Sequence, residues 1–589
     1  MAAAKRFLSP ALILIAAAIA ACPVLLHGPF CGDDFQFHLI SWLDAQQNWR
    51  AGIPYPHWTP SPNYGAGEPR FMFYPPLTWM LGAALGLVLP WVWVPATLIF
   101  ILLSATGFAT RALGRQLLPT GPATAAAIAA IFCPYALFTS YGRSAFAELA
   151  GGFWIPLLLL FVLRDRSPSA IAWRRALDGS TLPLALVLAG AWLSNAPVGV
   201  MSSYLLACVA LAFAILMRSW FPILRAAIGM TLGLAAIAAY LVPAAYEQRW
   251  VDILEATGVT NEPGFLIENH WLFVLKPHFG LNYNNDDHPF VSIVVLSMLV
   301  LGLLGAVVIW RRRSAVDAAS RRVWLIFAFI PVVILILQLP PSLPLWNHLP
   351  KLRFLQFPWR WLVVLEAPMA IMLSAAFWPL ARRRFVIPFG IVLISVSMFY
   401  ATRTFFRPCA PGADLQTLLA RHSSGAGFWG AYEYAPPGAD NSLVAADLPD
   451  VCLTAKFDVE LGIAPTPNAD PIWLPEQGSC IATAAATLRT AEHLRVSTTA
   501  RQAGFAILRL RTFPAWQISL DGKPVSGLPT REDGLVAVPV DAGPVAVTAD
   551  WKTTPDVKIG RAITALACIA LALLWSMERR RVFSSKLES

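Results

Sequence analysis

Charged side chains are scarce in this chain. Asp, Glu, Lys and Arg make up 13% of its 589 residues, whereas 57% are hydrophobic and the mean hydropathy is +0.59. An ordinary soluble protein carries about twice that share of charge, so the composition predicts a polytopic α-helical membrane protein instead. The formal net charge of +10 does not indicate nucleic-acid binding, because the arginines cluster between apolar runs as they do in cytoplasmic loops.

Cysteine is also sparse, and its spacing matches no metal or redox motif. The eight cysteines include no CxxC pair and no Cys/His cluster with the spacing of metal ligands. Cys31, Cys409, Cys452 and Cys480 fall in segments predicted to lie outside the cytoplasm, where disulfides persist. A bond between Cys452 and Cys480 is one pairing that this compartment permits, but the sequence alone does not assign it.

Acidic residues are missing from most of the apolar runs, and arginine clusters alternate with those runs. If the clusters are cytoplasmic, the chain has about twelve spans and both termini lie inside. Residues 76–90 are then interfacial or re-entrant, because an odd number of crossings must lie between the first outside loop and the cytoplasmic Arg111 and Arg115. The predicted divisions are a transmembrane domain over 1–400 with a first outside loop over 28–75, an extracytoplasmic β-rich domain over 401–558, and a final transmembrane helix with a cytoplasmic tail over 559–589.

The β-rich domain is predicted from alternation of apolar and polar residues. Residues 493–498, 505–511 and 535–540 alternate with the period of a half-buried strand, and Asp521-Gly522 separates two strand-like runs as a hairpin turn would. The sequence therefore predicts a β-sandwich outside the membrane.

Two adjacent carboxylates follow the first apolar run, in the stretch GDDFQFH over residues 32–38. If Asp34 begins a helix, His38 lies one turn later on the same face. A carboxylate beside an imidazole can act as a base, a metal ligand or a partner of phosphate. The alternative is a solvated loop start or helix cap, in which Asp33 and Asp34 have no chemical role.

Two further outside loops carry polar side chains. Residues 141–148 contain Arg143 and Glu148, which could pair with each other and do nothing else. Residues 349–361 contain Arg353 and Arg360, which could be anchors at the membrane surface. The positive-inside rule predicts few basic residues on this face, and guanidinium groups bind phosphate with a bidentate fork. A phosphate ligand therefore accounts for them better.

The ordered set of these motifs resembles a bacterial membrane-protein family called 6-pyruvoyl-tetrahydropterin synthase-related. That family looks like a branch of the GT-C superfamily of polyprenyl-phosphate-sugar-dependent glycosyltransferases. Residues 513–516 (FPAW) and 520–523 (LDGK) are similar to the C-terminal β domain of membrane enzymes that glycosylate lipoteichoic acid. The remaining matching stretches are GDDxxxH (32–38), WTP (58–60), NYGAG (63–67), FYPPL (73–77), YGRSAFAE (141–148) and LQFPWRW (355–361).

The resemblance implies a glycosyltransferase in the bacterial cytoplasmic membrane, with its active face outside. Its substrates would be a polyprenyl-phosphate-linked sugar and a glycan, lipid or protein acceptor. Asp34 matches the position of the family's catalytic aspartate, whereas oligosaccharyltransferase-type members have a metal-binding Asp-x-Glu where this chain has Arg143 and Glu148, so a divalent metal or other cofactor is not expected. The expected site residues are Asp34, Asp33 and His38 for catalysis, Arg353, Arg360 and Arg143 for the donor phosphate, and Glu148, His57 and Tyr74 for substrate binding.

Two other functions are compatible with the sequence. A transporter or flippase of lipid-linked glycans would place polar residues in the middle of its spans. A non-catalytic scaffold would bind carbohydrate through the β domain and would not need Asp34.

Overall fold

The computed structural model describes residues 2–164, 179–258, 266–272, 287–312, 317–378, 383–444, 446–455 and 480–587. Much of the predicted cytoplasmic arginine cluster over 164–175 lies outside these residues. The helices of the first half are α1 (Ala2–Ala21), α2 (Pro23–His27), α3 (Phe35–Arg50), α4 (Arg70–Phe73), α5 (Pro76–Val88), α6 (Val94–Gly114), α7 (Thr120–Ile131), α8 (Pro134–Tyr141), α9 (Phe146–Leu149), α10 (Gly151–Val162), α11 (Thr181–Ser194), α12 (Ala196–Met217), α13 (Phe221–Ala236) and α14 (Ala238–Glu247). Those that follow are α15 (Asp287–Arg312), α16 (Ala318–Leu337), α17 (Leu343–His348), α18 (Leu362–Phe377), α19 (Arg383–Tyr400), α20 (Leu415–Ser424) and α21 (Pro555–Leu587).

The protein is a multi-pass membrane protein. Among the described residues, eight helices are long and apolar enough to cross a membrane, or nine if the bent pair α13 and α14 forms one span. The expected count of about twelve is not confirmed. Several apolar runs form helices too short to cross by themselves: α5 has 13 residues and α11 has 14, or roughly 20 Å of helix against about 30 Å of hydrocarbon.

The C-terminal part folds into two antiparallel sheets. One has the strand order β2-β1-β5-β8, and the other has the order β3-β4-β9-β6-β7. The strands are β1 (Val451–Thr454), β2 (Ala482–Ala484), β3 (Leu488–Arg489), β4 (His493–Ala500), β5 (Gly504–Arg511), β6 (Trp516–Leu520), β7 (Lys523–Pro524), β8 (Leu535–Val540) and β9 (Gly543–Trp551).

Both sheets bury side chains in the same core. Leu508 and Val538 of the first sheet share one apolar cluster with Val496 and Val547 of the second. This is the packing that the alternating sequence predicts, because alternate residues of a strand point to one face. The predicted Asp521-Gly522 turn joins β6 and β7, and both of its residues have positive φ angles, 51° and 78°.

The first outside loop packs between the helices and the sheets. Trp58 and Phe73 belong to the apolar cluster of the sheet core, and the Trp58 ring meets the Trp516 ring edge-on with centroids 5.5 Å apart. Near the start of the loop, a disulfide joins Cys31 to Cys409. The loop is therefore held by the C-terminal part of the chain as well as by the helices beside it. The structure also pairs Cys452 with Cys480.

The proposed sidedness can be tested on the exposed Glu532 of the sheet domain. We expect Glu532→Cys to react with a membrane-impermeant maleimide in intact cells, because the arginine clusters place this domain outside. The background should have the four free cysteines replaced by Ala: Cys22, Cys133, Cys208 and Cys568. Labelling that requires permeabilised cells would reverse the orientation.

Candidate active site

A cavity of about 610 Å³ lies where four parts of the chain meet. Its walls come from the start of α3, the loop before α9, the segment 351–360 and the segment 433–434, together with α11, α12 and α14. The short helices α5 and α11 meet near it, since Thr78 donates a hydrogen bond to the carbonyl of Ser194 at 3.0 Å. The cavity therefore joins the transmembrane helices to the C-terminal part of the chain.

Asp34 stands at the N-terminus of α3 and lines this cavity. Its carboxylate makes no capping hydrogen bond to the helix and is 44% exposed, so the helix-cap alternative does not account for it. The backbone N–H of His38 donates to the carbonyl of Asp34 at 3.1 Å, which confirms the predicted spacing of one turn. The N–H of Asp34 itself donates to the carbonyl of Arg143 at 2.8 Å and so fixes the aspartate beside the second loop.

Two arginines converge on one buried carboxylate. Arg143 Nη1 lies 2.6 Å from Glu148 Oε2, and Arg360 Nε lies 3.3 Å from the same oxygen. The hydroxyl of Tyr135 donates to the other oxygen of Glu148. Arg143 Nη2 also lies 3.8 Å from Asp34 Oδ2. Arg143 therefore pairs with Glu148, as the simple alternative expects, and it also lies near Asp34. A role of Arg143 in binding a phosphate stays a prediction.

Two opposing effects act on the pKa of Asp34, and the effect that raises it is the larger. The exposed part of the carboxyl faces the cavity rather than open solvent; desolvation there raises its pKa above the usual value, while the positive charges of Arg143 and Arg360 act to lower it. A carboxylate with a raised pKa is a stronger base than an ordinary aspartate. Asp34 is therefore suited to accept a proton inside the cavity.

His38 faces the same cavity as a neutral side chain. It is 1% exposed, and burial, helped by the charges of Arg70 and Arg143, lowers its pKa to about 3. Neither ring nitrogen has a hydrogen-bond partner within the described residues. The ring stacks on Trp42 with centroids 6.0 Å apart. An uncharged imidazole with open nitrogens can bind a ligand hydroxyl, but it does not supply positive charge for a phosphate.

Asp33 also lines the cavity, but it is engaged by the C-terminal part of the chain. Its Oδ1 lies 2.5 Å from Arg407 Nη1, and the neighbouring N–H of Cys31 donates to the carbonyl of Arg407 at 2.9 Å. Asp33 therefore helps to tie the loop to the segment that contains Cys409.

The structure separates two of the predicted site residues from Asp34. Arg353 Nη2 donates to Glu268 Oε1 at 2.9 Å, and Arg353 is not among the described residues that line the cavity. His57 is buried and stacks on Trp551, with ring planes 8° apart. Tyr74 does line the cavity, with its ring 4.8 Å from that of Phe37. The roles of all these residues stay predictions.

Two charged residues that line the cavity, Lys351 and Glu433, were not predicted from the sequence. Lys351 has a positive φ of 61° and donates to Gln248 Oε1 at 2.7 Å; among the described residues it has no carboxylate partner. The charge bias that drew attention to Arg353 applies equally to Lys351 and could have identified it. Glu433 lies in the C-terminal part of the chain, and no sequence signal connected it with Asp34.

The described residues contain no group of three His, Cys, Asp or Glu side chains that could hold a metal ion. The expectation that no metal or other cofactor is needed stays a prediction. Four charged side chains, those of Asp34, Arg143, Arg360 and Lys351, line the cavity.

No protein-family model and no curated protein sequence matches this chain. Among solved structures, the chain is similar to the apo form of the Archaeoglobus fulgidus oligosaccharyltransferase, with a TM-score of 0.41 and 14% identity over 72% of this chain and 57% of that one. For the oligosaccharyltransferase AglB from that organism, in complex with an inhibitory peptide and a dolichol-phosphate, the TM-score is 0.40 and the identity is 15%, over the same shares of both chains. For the arabinosyltransferase EmbB from Mycobacterium smegmatis, the TM-score is 0.33 and the identity is 13%, over 93% of this chain and 63% of that one. The chain thus spans about 57% to 63% of the length of these proteins, and likeness this distant does not assign a function.

The neutral state of His38 predicts a pH dependence of stability. The pKa is about 6.5 in the unfolded chain and about 3 in the folded protein, so the unfolded state binds a proton that the folded state excludes. The contribution of the neutral His38 to the free energy of unfolding is fully present above about pH 6.5. It is lost as the pH falls towards 3, at up to about 1.4 kcal/mol per pH unit. We expect the unfolding temperature in detergent to fall less for His38→Gln than for the parent protein between about pH 6.5 and 4.5.

The matched control for this measurement is His348→Gln, since His348 is exposed. That variant should keep the pH dependence of the parent. A His38→Gln protein with the parent's pH dependence would show that the imidazole is not held neutral by burial.

Proposed function

We propose that this protein is a membrane glycosyltransferase of GT-C type. It takes a sugar from a polyprenyl-phosphate carrier and transfers it to a glycan, lipid or protein acceptor outside the cytoplasmic membrane. The observation that carries this proposal is the uncapped Asp34 carboxylate, exposed in a cavity and 3.8 Å from Arg143. A base next to an anion-binding group is what this transfer requires.

The transfer would proceed by displacement at the anomeric carbon. The oxygen of an acceptor hydroxyl attacks this carbon, and the bond from the carbon to the phosphate oxygen breaks. The polyprenyl phosphate leaves with the electron pair of that bond, and Asp34 takes the proton of the hydroxyl. The raised pKa of Asp34 suits this step, because it increases the affinity of the carboxylate for the proton.

The leaving phosphate gains negative charge as the bond breaks. Arg143 and Arg360 are balanced by Glu148 and the ionised Asp34, so one positive charge becomes uncompensated when Asp34 takes the proton. Lys351 brings a further positive charge that no described carboxylate offsets. Fixed positive groups in a partly dry cavity stabilise such charge more strongly than water does. Glu148 would act by positioning the two guanidinium groups.

The remaining walls suit the lipid part of the donor. Val200 of α12 and Val291 of α15 line the cavity, with Phe354 and Phe357 from the segment that carries Lys351. Apolar side chains from membrane helices can accommodate a prenyl chain while its phosphate reaches the charged end. Membrane lipids and the lipid-linked donor are therefore the partners that these walls favour.

A transporter of lipid-linked glycans has one observation in its favour. Glu366 is 2% exposed within α18, and an ionisable side chain inside a span is often functional. Glu366 is not among the described residues that line the cavity, however, so it does not account for the arrangement around Asp34. A carbohydrate-binding scaffold would leave that arrangement without a role.

The central prediction concerns Asp34→Asn. The change keeps the size of the side chain and removes its basicity, so turnover should fall by about a hundredfold to ten-thousandfold while donor binding changes little. The measurement is transfer of radiolabelled sugar from a polyprenyl-phosphate carrier by purified protein in lipid.

Asp33→Asn is the matched control, because Asp33 is paired with Arg407. It should reduce turnover much less than Asp34→Asn does. Undiminished transfer by the Asp34→Asn protein would remove Asp34 from the mechanism. Parallel loss of donor binding and turnover would indicate a conformational role, and a parent protein inactive with every lipid-linked donor would favour the scaffold.

A second prediction separates the two basic residues of the segment 351–353. Lys351→Gln should weaken binding of farnesyl phosphate, a short polyprenyl phosphate, by about tenfold, since a hydrogen bond to a charged group contributes about 1.5 to 3 kcal/mol. Arg353→Gln should leave binding nearly unchanged, because Glu268 holds that guanidinium outside the cavity lining. Calorimetry in lipid nanodiscs measures both. If Arg353→Gln weakened binding and Lys351→Gln did not, the phosphate would lie at Arg353.

A further inference from the structure

The C-terminal part of the chain supplies one wall of the cavity. Glu433 and Tyr434, in the short helical turn Tyr432–Tyr434, line it together with Phe73 of the first loop. None of the roles considered so far involves this wall. It lies beside a sheet domain rather than among the membrane helices.

A continuous set of polar contacts fixes this wall relative to Asp34. The N–H of Ala431 donates to Glu68 Oε2 at 3.0 Å, and Glu68 Oε1 pairs with Arg70 Nε at 2.7 Å. Both charged side chains are at most 2% exposed. Arg70 in turn donates to the carbonyl of Phe37 at 3.2 Å, on the helix that begins directly after Asp34. The segment that carries Glu433 is therefore positioned through buried, charged hydrogen bonds.

Glu433 and Asp34 have different electrostatic neighbours. The charges that act on Asp34 are those of Arg143, Arg360 and Glu148, whereas those that act on Glu433 are Glu68, Arg70 and Glu255. The charge of Asp34 acts on Tyr74, and Tyr74 in turn acts electrostatically on Tyr434. Arg143 and Arg360 are thus among the charges that act on Asp34 but not among those that act on Glu433.

The carboxyl group of Glu433 has no ion-pair partner within the described residues. Burial, together with the charges of Glu68 and Glu255, raises its pKa to about 7, against the opposing effect of Arg70. Near neutral pH the group can therefore accept hydrogen bonds from two hydroxyls, or donate one and accept another. An anionic ligand would be repelled here, while a neutral ligand with hydroxyl groups would be bound.

Two aromatic rings contribute to the same wall: Tyr434 and Phe73 line the cavity with small exposed areas, 7% and 9% of each residue. The Tyr434 and Phe73 rings are stacked with centroids 5.8 Å apart and planes 11° from parallel, and both line the cavity. The apolar C–H face of a sugar ring packs against aromatic side chains, and its hydroxyls need hydrogen-bond partners at the edge. Tyr434 and Phe73 offer the aromatic rings, and Glu433 offers the hydrogen-bond partner.

We infer that Glu433, Tyr434 and Phe73 form a subsite for a neutral sugar ring of the acceptor, with Glu433 binding its hydroxyl groups. The inference rests on the proposed function and adds to it the class of acceptor. An acceptor from the aqueous side meets the sheet domain, whereas the lipid-linked donor is brought by the membrane helices. The subsite would hold the acceptor so that another of its hydroxyls reaches Asp34.

The test uses two kinds of probe on the full-length protein in lipid nanodiscs. Farnesyl phosphate reports on the phosphate end, and the methyl glycosides of glucose, galactose and mannose report on the subsite. We expect Glu433→Gln to weaken binding of the best methyl glycoside by about tenfold and to leave farnesyl phosphate binding unchanged. Arg360→Gln should do the reverse. Glu532→Gln, an exposed carboxyl of the same domain, should alter neither.

Binding of farnesyl phosphate also reports that the Glu433→Gln protein is folded. Equal glycoside binding by parent and variant, or no binding of any of the three glycosides by the parent, would overturn the inference. Loss of both kinds of probe in the variant would also overturn it, since Glu433 would then have a structural role. A parent that binds a glycoside through Glu433 but does not bind farnesyl phosphate would instead contradict the proposed function.

Discussion

The charged end of the cavity is formed by Arg143, Arg360 and Asp34, and it depends on the ion pairs that the two arginines make with the buried carboxylate of Glu148. This carboxylate contacts Arg143 and the hydroxyl of Tyr135, which lie close to it along the chain, and Arg360, which comes from a distant segment. Removing one member of such a buried set leaves the other charges uncompensated, at a cost of about 3 to 5 kcal/mol. The carbonyl of Arg143 also accepts a hydrogen bond from the N–H of Asp34. The position of Asp34, the proposed base, therefore depends on the same buried charged groups.

A second buried pair, Glu68 with Arg70, holds the first loop against the C-terminal part of the chain. The loop is therefore a layer between two cores, and its aromatic residues pack into the sheet domain. Gly67 shows how close this packing is: its φ is +79°, and a Cβ there would lie 2.1 Å from Trp58 Nε1. The cavity walls come from this layer and from both of its neighbours, so neither the helices nor the sheets contain the site alone.

Local patterns in the sequence predicted the parts of the site that lie close together along the chain. Asp34 and His38 are one turn apart on a helix, and the structure places both in the cavity. Arg353 and Arg360 stand in one short stretch, yet only Arg360 lines the cavity among the described residues. Arg353 and Arg360 lie in two different short helical turns, and Gln356, with a φ of 63°, ends the first of them. A single strained backbone position of this kind is not readable from composition or charge.

The span count and Glu433 were beyond sequence reasoning for different reasons. Apolar runs of span-like composition form helices such as α11 that are too short to cross the hydrocarbon alone, because hydropathy does not show where a helix will end. The segment that carries Glu433 is held at the cavity by a hydrogen bond from the N–H of Ala431 to Glu68, which lies hundreds of residues earlier in the chain. Contacts over such distances leave no periodic signal in the sequence.

The bond between Cys31 and Cys409 joins residues 378 positions apart and lies three residues before Asp34. A ribosome must therefore synthesise more than two thirds of the protein before this loop can be locked. Disulfides persist in oxidising compartments, so we expect the bond to form after both cysteines have reached such a compartment. During biogenesis the membrane helices can insert while the loop is still untied, and the cavity is complete only when the later residues that line it have been added.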